Sequence, residues 1–546
     1  MVWMPIVMRT AKLLLVLFVA TLAKPSGLVA EMSGATPVGP AEPIPAVQTN
    51  VPAGADLQTF INRARPGDVL LLEPGATFVG NFTLPALPEQ STVVPAQFIT
   101  IRSAADNSHF PTGGRVTPDH AEWMPTLRSP NGSSALATKP GAHHWRLQWL
   151  AFQANSGGEG NIISLGDGSA AQRELASVPH HFELDGLIIR GDAAKGQKRA
   201  IALNSGDTVI RNSDIRDIKA DGQDSQAICG WNGPGPFVID NNYLEAAAEN
   251  VMFGGSDPSI PDLVPTGITI RRNYVTKPVE WRGSRWTVKN LLELKNARQV
   301  VVESNMFENN WVAAQTGYAL LFKPVNQDGK APWSDVSDVT VQYNIVRHVS
   351  SAINILGTDY EHPSAHMRGL VIRNNVFYDV DSAHWGGDGR FLLIGGGPAN
   401  IVIDHNTVIQ SGSVVQFYGT QNGKPWVIDN LHFTNNLARH NQFGIIGESA
   451  GIGRTAITAY VSHDEFRRNV LAGGDPARYP PDNLFPTVAQ LMAEFMDSAH
   501  DDYRLRLNSS FRTAGIDGSI LGANMEELVR RRPPEREPRS APGRTK

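Results

Sequence analysis

Phe237-Val-Ile-Asp-Asn-Asn242, Ile268-Thr-Ile-Arg-Arg-Asn273 and Val300-Val-Val-Glu-Ser-Asn305 repeat one phrase: apolar, any, apolar, polar, any, Asn. It returns as Val339-Thr-Val-Gln-Tyr-Asn344, Leu370-Val-Ile-Arg-Asn-Asn375, Ile401-Val-Ile-Asp-His-Asn406 and Leu431-His-Phe-Thr-Asn-Asn436. Most copies recur at roughly 31 residues, a period that marks stacked repeats. Alternation and β-branched side chains make each copy a short strand, and the Asn marks a turn. The pattern predicts an all-β solenoid and supplies a register for comparing coils.

In a stack of parallel coils, equivalent residues lie about 4.8 Å apart. The terminal asparagines, Asn242, Asn273, Asn305, Asn344, Asn375, Asn406 and Asn436, therefore read as an internal amide ladder. Two residues earlier runs Arg211, Asp240, Arg271, Glu303, Gln342, Arg373, Asp404, Thr434. Its sign alternates over the first coils, as expected of solvent-facing pairs that fix register.

The chain has 546 residues, a net charge of −5 and one cysteine, Cys229. The mild mixed charge gives no basic footprint for nucleic acid, and a lone cysteine forms no internal disulfide. Arg9 and Lys12 precede the apolar run Leu13–Ala23, and Leu28-Val-Ala30 offers a small-residue cleavage site. Residues 1–30 thus read as an export signal, the run being short for a membrane span. A secreted or periplasmic bacterial protein is the expectation. A Pro/Ala-rich leader follows over 31–50. Asp56 then N-caps a short helix carrying Leu57, Phe60 and Ile61, which Pro66-Gly67 stops. Such a helix suits the open end of a solenoid.

These features, with the ending Asp502-Tyr-Arg-Leu-Arg-Leu507 and Leu521-Gly-Ala523, resemble the right-handed parallel β-helix proteins of the pectate-lyase-like superfamily. The resemblance implies a single β-helix over 51–475 and a C-terminal cap over 476–525; the basic, Pro-rich composition of 526–546 reads as a disordered tail.

A further strand is expected after each Asn, ending in an apolar residue and glycine: Ala227-Ile-Cys-Gly230, Val251-Met-Phe-Gly254, Asn354-Ile-Leu-Gly357, Leu392-Leu-Ile-Gly395 and Gln416-Phe-Tyr-Gly419. Two adjacent coils depart, Leu292-Glu-Leu-Lys295 and Leu320-Leu-Phe-Lys323. A glycine column is thus expected to be broken by stacked lysines, with Glu293 on the face of Lys295. Repulsion between two ammonium groups lowers the pKa of at least one, which lets a lysine act as a base.

The surrounding loops carry Trp231, Glu249, Asn250, Trp281, Arg282, Arg285 and Trp286, and Asn354 lies farther along. Aromatic faces with amides, acids and bases suit a carbohydrate, and loops on rigid scaffolds are where binding residues concentrate. β-Elimination from a uronate-containing, acidic polysaccharide needs a neutralised carboxylate, a base and a proton donor. Lys295 fits the base, Lys323 the charge neutraliser or acid, and Arg282 or Arg285 the carboxylate clamp. Trp231, Glu249, Asn250, Trp281, Trp286 and Asn354 are the expected substrate contacts.

Glu293-Leu-Lys295 ahead of Val301-Val-Glu-Ser-Asn305 resembles the local pattern of chondroitinase-B-type and alginate lyases. That resemblance implies Lys295 as the base and Glu293 as a loosely matched calcium ligand. The family's downstream catalytic arginine has no match; Lys323 stands near its place. Two alternatives stay open. A glycoside hydrolase would need paired carboxylates, and the polygalacturonase signatures do not occur together. A non-catalytic glycan-binding or surface β-helix protein would present a flat surface at Lys295, where an enzyme would present a cleft.

Overall fold

The computed structural model describes residues 46–87, 97–516 and 518–531. The expected export signal, nearly all of the leader and the tail beyond Arg531 lie outside them. Three long sheets of 14, 13 and 13 strands run the length of the described chain. Each coil contributes one strand to each sheet, and neighbours pair in parallel, as Phe237 with Ile268 and Val251 with Leu292. This is a right-handed parallel β-helix. The repeated phrases form the 14-stranded sheet. Two strands, not one, follow each ladder Asn before the next phrase: Tyr243–Ala246 and then Glu249–Phe253 in one coil.

The phrase register is as the sequence predicts. Asp240 pairs with both Arg211 and Arg271, and Arg271 with Glu303. Asn242 Nδ2 donates to Asn273 Oδ1 at 3.0 Å, and Asn344 does the same to Asn375 at 3.0 Å. The ladder runs past Asn436 to Asn469 and Asn483. Each step also satisfies backbone groups, as when Asn273 Nδ2 donates to the Ile239 carbonyl. The residue before each ladder Asn adopts left-handed backbone (Arg272 φ 54°, Ser304 φ 58°), turning the chain so that the amide points inward.

Alternate strand residues fill the interior. Ile201, Ile228, Val251, Leu292, Leu320 and Ile353 belong to one apolar core. Asp56 caps the helix Leu57–Arg63 by accepting from Gln58, and Leu57 and Ile61 are buried against the first coils. The first strand, Gln48–Val51, pairs with Val69–Leu72, so the end of the expected leader already belongs to the solenoid.

The C-terminal segment differs from a simple end cap. Leu491, Phe495, Tyr503, Phe511, Leu521 and Leu528 cover the outer face of the third sheet at Tyr274, Met306, Ile345, Val376 and Leu437. The chain runs back along the coils: Gly522 N donates to the Asn435 carbonyl, and Asn524 N to Asn374 Oδ1. The tail expected to be disordered from Glu526 begins as the helix Met525–Arg531, ordered by the burial of Leu528. Among the described residues, no helix is long and apolar enough to cross a membrane.

Candidate functional site

The remaining 13-stranded sheet, which holds Glu249–Phe253, Leu292–Leu294 and Tyr318–Phe322, carries the candidate site. Its outward residues form columns. One runs Cys229, Met252, Glu293, Leu321, Asn354 by direct pairing. A second joins Arg199, Gln226 and Glu249.

The expected glycine column is corrected by this register. Leu294 pairs with Phe322, so Lys295 and Lys323 are neighbours, as predicted. Phe322 pairs with Ile355 rather than Leu356, and Ile394 with Phe417 rather than Tyr418. The lysine column therefore contains Gly254, Lys295, Lys323, Leu356, Gly395 and Tyr418. Gly230 pairs with the inward Phe253 and lies outside it. A one-residue slip exchanges the faces of a strand, and the glycines end segments of unequal length.

A cleft of about 520 Å³ opens here, lined by Lys198, Arg199, Asp224, Gln226, Trp231, Lys289 and Lys295, with Cys229 and Met252 in its wall. Four bases against one acid, Asp224, give its rim a cationic character. Burial pushes the Cys229 thiol up to about 11, which keeps it protonated and poorly nucleophilic.

Beneath the bases lie two buried acids. Glu249 accepts from Gln226 Nε2 at 2.9 Å and faces Lys289 Nζ at 3.7 Å. Glu293 faces Lys295 Nζ at 3.6 Å. Glu249 Oε1 and Glu293 Oε2 accept no hydrogen bond among the described residues. Burial first, then the charges of Glu293 and Asp224, push Glu249 up to about 7. Lys289 reaches Asp224 at 2.6 Å. Burial works against its ammonium, but Asp224 and Glu249 outweigh it and raise its pKa. Burial lowers the pKa of Lys323; Lys295 adds to the fall, while Glu293 and Asp359 oppose it.

The other expected residues are placed as follows. Trp231 borders the cleft; its Nε1 donates to the Gly168 carbonyl at 2.9 Å, and Arg199 lies over its ring at 5.0 Å. Asn354 is buried two strands from Glu293, with Leu321 between, and its Oδ1 has no partner among the described residues. Asn250 is not a substrate contact. It is fully buried, and its amide donates to the Leu244 and Thr276 carbonyls while its oxygen accepts from Lys277. Residues at its position, such as Ala227 and Leu291, point into the core.

Trp281 and Trp286 do not line the cleft. They pack with Ala247, Val288, Trp311 and Trp385, and Lys219 Nζ lies over both rings at 4.9 and 5.2 Å. Neither arginine expected to clamp a carboxylate lines the cleft. Arg282 lies over Trp385, and Arg285 over Trp286 with an Nη2 bond to the Ala194 carbonyl.

The sequence reading missed Arg199 and Lys289 as the cleft's bases. Extending the Gln226 and Glu249 column one coil upstream would have found Arg199. It also missed Lys277, which is completely buried and donates to Ala246 O, Ala248 O, Asn290 O and Asn250 Oδ1 at 2.8–3.0 Å. Elsewhere, Asp379, Asp381 and His384 converge. Asp381 caps the helix Ser382–Trp385, and Asp379 bonds His348 and Trp385.

No protein-family profile matches the chain, and no curated protein does. Among solved structures, the PL6 family alginate lyase AlyGC aligns with a TM-score of 0.54 at 15% identity, over 91% of this chain and 60% of its own. A mannuronic-acid-specific polysaccharide family 6 lyase from human gut microbiota gives 0.48 at 11%, over 82% and 93% of the two chains. The catalytic unit of a GH87 α-1,3-glucanase from Streptomyces thermodiastaticus strain HF3-3 gives 0.49 at 15%, over 82% and 71%. The likeness to AlyGC, of which this chain spans about 60%, shows the shared fold alone.

Proposed function

We propose that the cleft cleaves a uronate-containing polysaccharide by β-elimination. The observation that carries this reading is the grouping of Arg199, Lys289 and Lys295 around one cleft, with Lys323 beside Lys295. An acidic sugar meets three cations there, whose attraction is stronger in a cleft than on an open surface.

Arg199 and Lys289 bind the carboxylate of the sugar and stabilise the negative charge that develops on it as the adjacent C–H bond breaks. The lysine pair moves the protons. Lys323 is pushed by burial and by Lys295 toward the neutral amine, and takes the C5 proton. Lys295, held near Glu293, carries the ammonium proton and gives it to the leaving glycosidic oxygen. The C–O bond breaks, a C4–C5 double bond forms, and one proton passing from Lys323 back to Lys295 restores the pair.

A hard divalent cation such as calcium suits carboxylate oxygens of this kind, since Glu249 Oε1 and Glu293 Oε2 are buried and accept no hydrogen bond among the described residues. These two residues would hold it, and when bound it adds positive charge beside the substrate carboxylate.

The test is incubation of the purified chain with alginates, pectates and glycosaminoglycans, with and without calcium, following ultraviolet absorbance of the unsaturated product. Absorbance that grows with one substrate class supports the reading. Binding without any such product assigns the cleft to a glycan-binding protein instead.

A further inference from the structure

Away from the cleft, the 14-stranded sheet carries four histidines from two adjacent coils. His143 opens the strand His143–Gln148 and His180 opens His180–Asp185, and the two are paired in register. Side chains of consecutive strand residues normally point to opposite faces. Here His144 and His181 both adopt φ 58°, and the pairing passes from His143–His180 directly to Trp145–Phe182. The left-handed backbone at His144 and His181 breaks that alternation and brings the two rings of each dipeptide together. Gly206 pairs with His180 in the next coil, which puts Asp207 in line with His181.

The rings form two tight pairs. His143 Nδ1 lies 2.7 Å from His144 Nδ1, and His180 Nδ1 lies 2.6 Å from His181 Nδ1. The pairs stack, with ring centroids 5.2 Å apart for His143 and His180 and 4.4 Å for His144 and His181. Each short contact holds one proton between two nitrogens, because a neutral imidazole has one donor and one acceptor. His181 Nε2 lies 3.0 Å from Asp207 Oδ2, so Nε2 carries the proton and Nδ1 the lone pair. His180 Nδ1 then donates to it.

We propose that these histidines bind a divalent first-row transition ion, each Nδ1 pair offering a two-nitrogen bite. Imidazole suits zinc, copper and nickel. Two imidazoles on one ion, at metal–nitrogen distances of about 2.0–2.1 Å, place their nitrogens about 2.9–3.3 Å apart. Each pair needs to open by only a few tenths of an ångström. The proton balance is simple: the Nδ1 proton of His180 moves to its own Nε2, and both Nδ1 lone pairs face the ion with no change in net charge. Asp207 is the carboxylate that orients a ligating imidazole from outside. An ion held at either pair stabilises the fold by its binding to the native state.

The experiment uses tag-free full-length protein stripped with chelator and titrated with Cu²⁺, Ni²⁺ and Zn²⁺ chlorides by calorimetry, with Cu²⁺ electron paramagnetic resonance. The expected result is at least one equivalent bound, nitrogen superhyperfine splitting from two or more imidazoles, and a raised melting temperature. His144→Gln with His181→Gln should abolish the bound equivalent, and Asp207→Asn should weaken it by about tenfold. Asp379→Asn with His384→Gln, in the other cluster, should leave it unchanged. The proposal is overturned if the unmodified protein shows no nitrogen splitting. It is equally overturned if the equivalent survives the double histidine substitution or disappears with the Asp379 and His384 changes. The spectrum of the unmodified protein decides the matter even if the histidine variant fails to fold.

Discussion

Lys295 and Lys323 stand next to each other on paired strands, yet their surroundings differ. Lys295 lies 3.6 Å from Glu293 on the wall of the cleft. Burial, with the neighbouring Lys295 charge, lowers the pKa of Lys323. A lysine whose ammonium is disfavoured beside one held near a carboxylate is the arrangement the proposed acid–base chemistry needs. Both the residue pattern and the resemblance to known lyases made Lys295 the expected base; the proposed elimination instead gives Lys323 that role and Lys295 that of the acid.

Arg199→Ala should lower kcat/KM on an acidic polysaccharide by about 10- to 100-fold, the loss expected for one charge-assisted contact. Arg285→Ala should leave it unchanged, since Arg285 bonds the Ala194 carbonyl and covers Trp286. Steady-state kinetics on the two variants separates the cleft's arginine from the one expected from sequence.

Glu249 sets a pH dependence of stability. Its folded pKa of about 7 lies above the ordinary 4.5, so the folded state binds more protons between those limits. Stability contributed by the protonated acid is present below about 4.5 and is lost as pH rises through about 7, a change on the order of 3 kcal/mol. In metal-free buffer, the melting temperature of Glu249→Gln should fall less over that window than that of the wild type. Equal slopes would remove Glu249 as the cause.

Asn344 links two rungs of the ladder, donating to Asn375 and accepting from Asn305. Asn344→Ala strands buried polar groups on both sides and should cost about 3 kcal/mol. Thermal unfolding followed by circular dichroism measures it. An unchanged midpoint would mean that the ladder accompanies the fold without holding it.

Lys277→Met leaves four carbonyl-type oxygens without their shared donor in the core. A loss of about 3–5 kcal/mol is expected, read as a large fall in melting temperature. A near-neutral result would show that those oxygens find other donors.

The fold was legible because a stacked coil repeats its constraints: the ladder Asn and the alternating apolar residues recur wherever the backbone makes the same turn. The site was legible where it interrupts that repetition, at Glu293, Lys295 and Lys323. Arg199 was hidden because it precedes the first clear phrase, and Lys289 because it ends a loop with no period. The glycine register slipped because Gly230 occupies an inward position that Phe253 fills in the next coil. Trp281 and Trp286 were misread because a tryptophan that packs a loop looks the same in sequence as one that stacks on a sugar. Asn250 was misread because its strand begins with a bend that turns it inward against Lys277.

The most direct test compares the wild type, Lys323→Met and Lys295→Met on the uronate polysaccharide panel, following ultraviolet absorbance of the unsaturated product. The wild type should form that product, and each variant should be slowed by at least about 100-fold, the usual worth of a positioned acid or base. Raising the pH should speed the wild type as Lys323 loses its proton, and this rise should vanish in Lys323→Met. A wild type that forms no unsaturated product, or a Lys323→Met variant as fast as wild type, would contradict elimination by this pair.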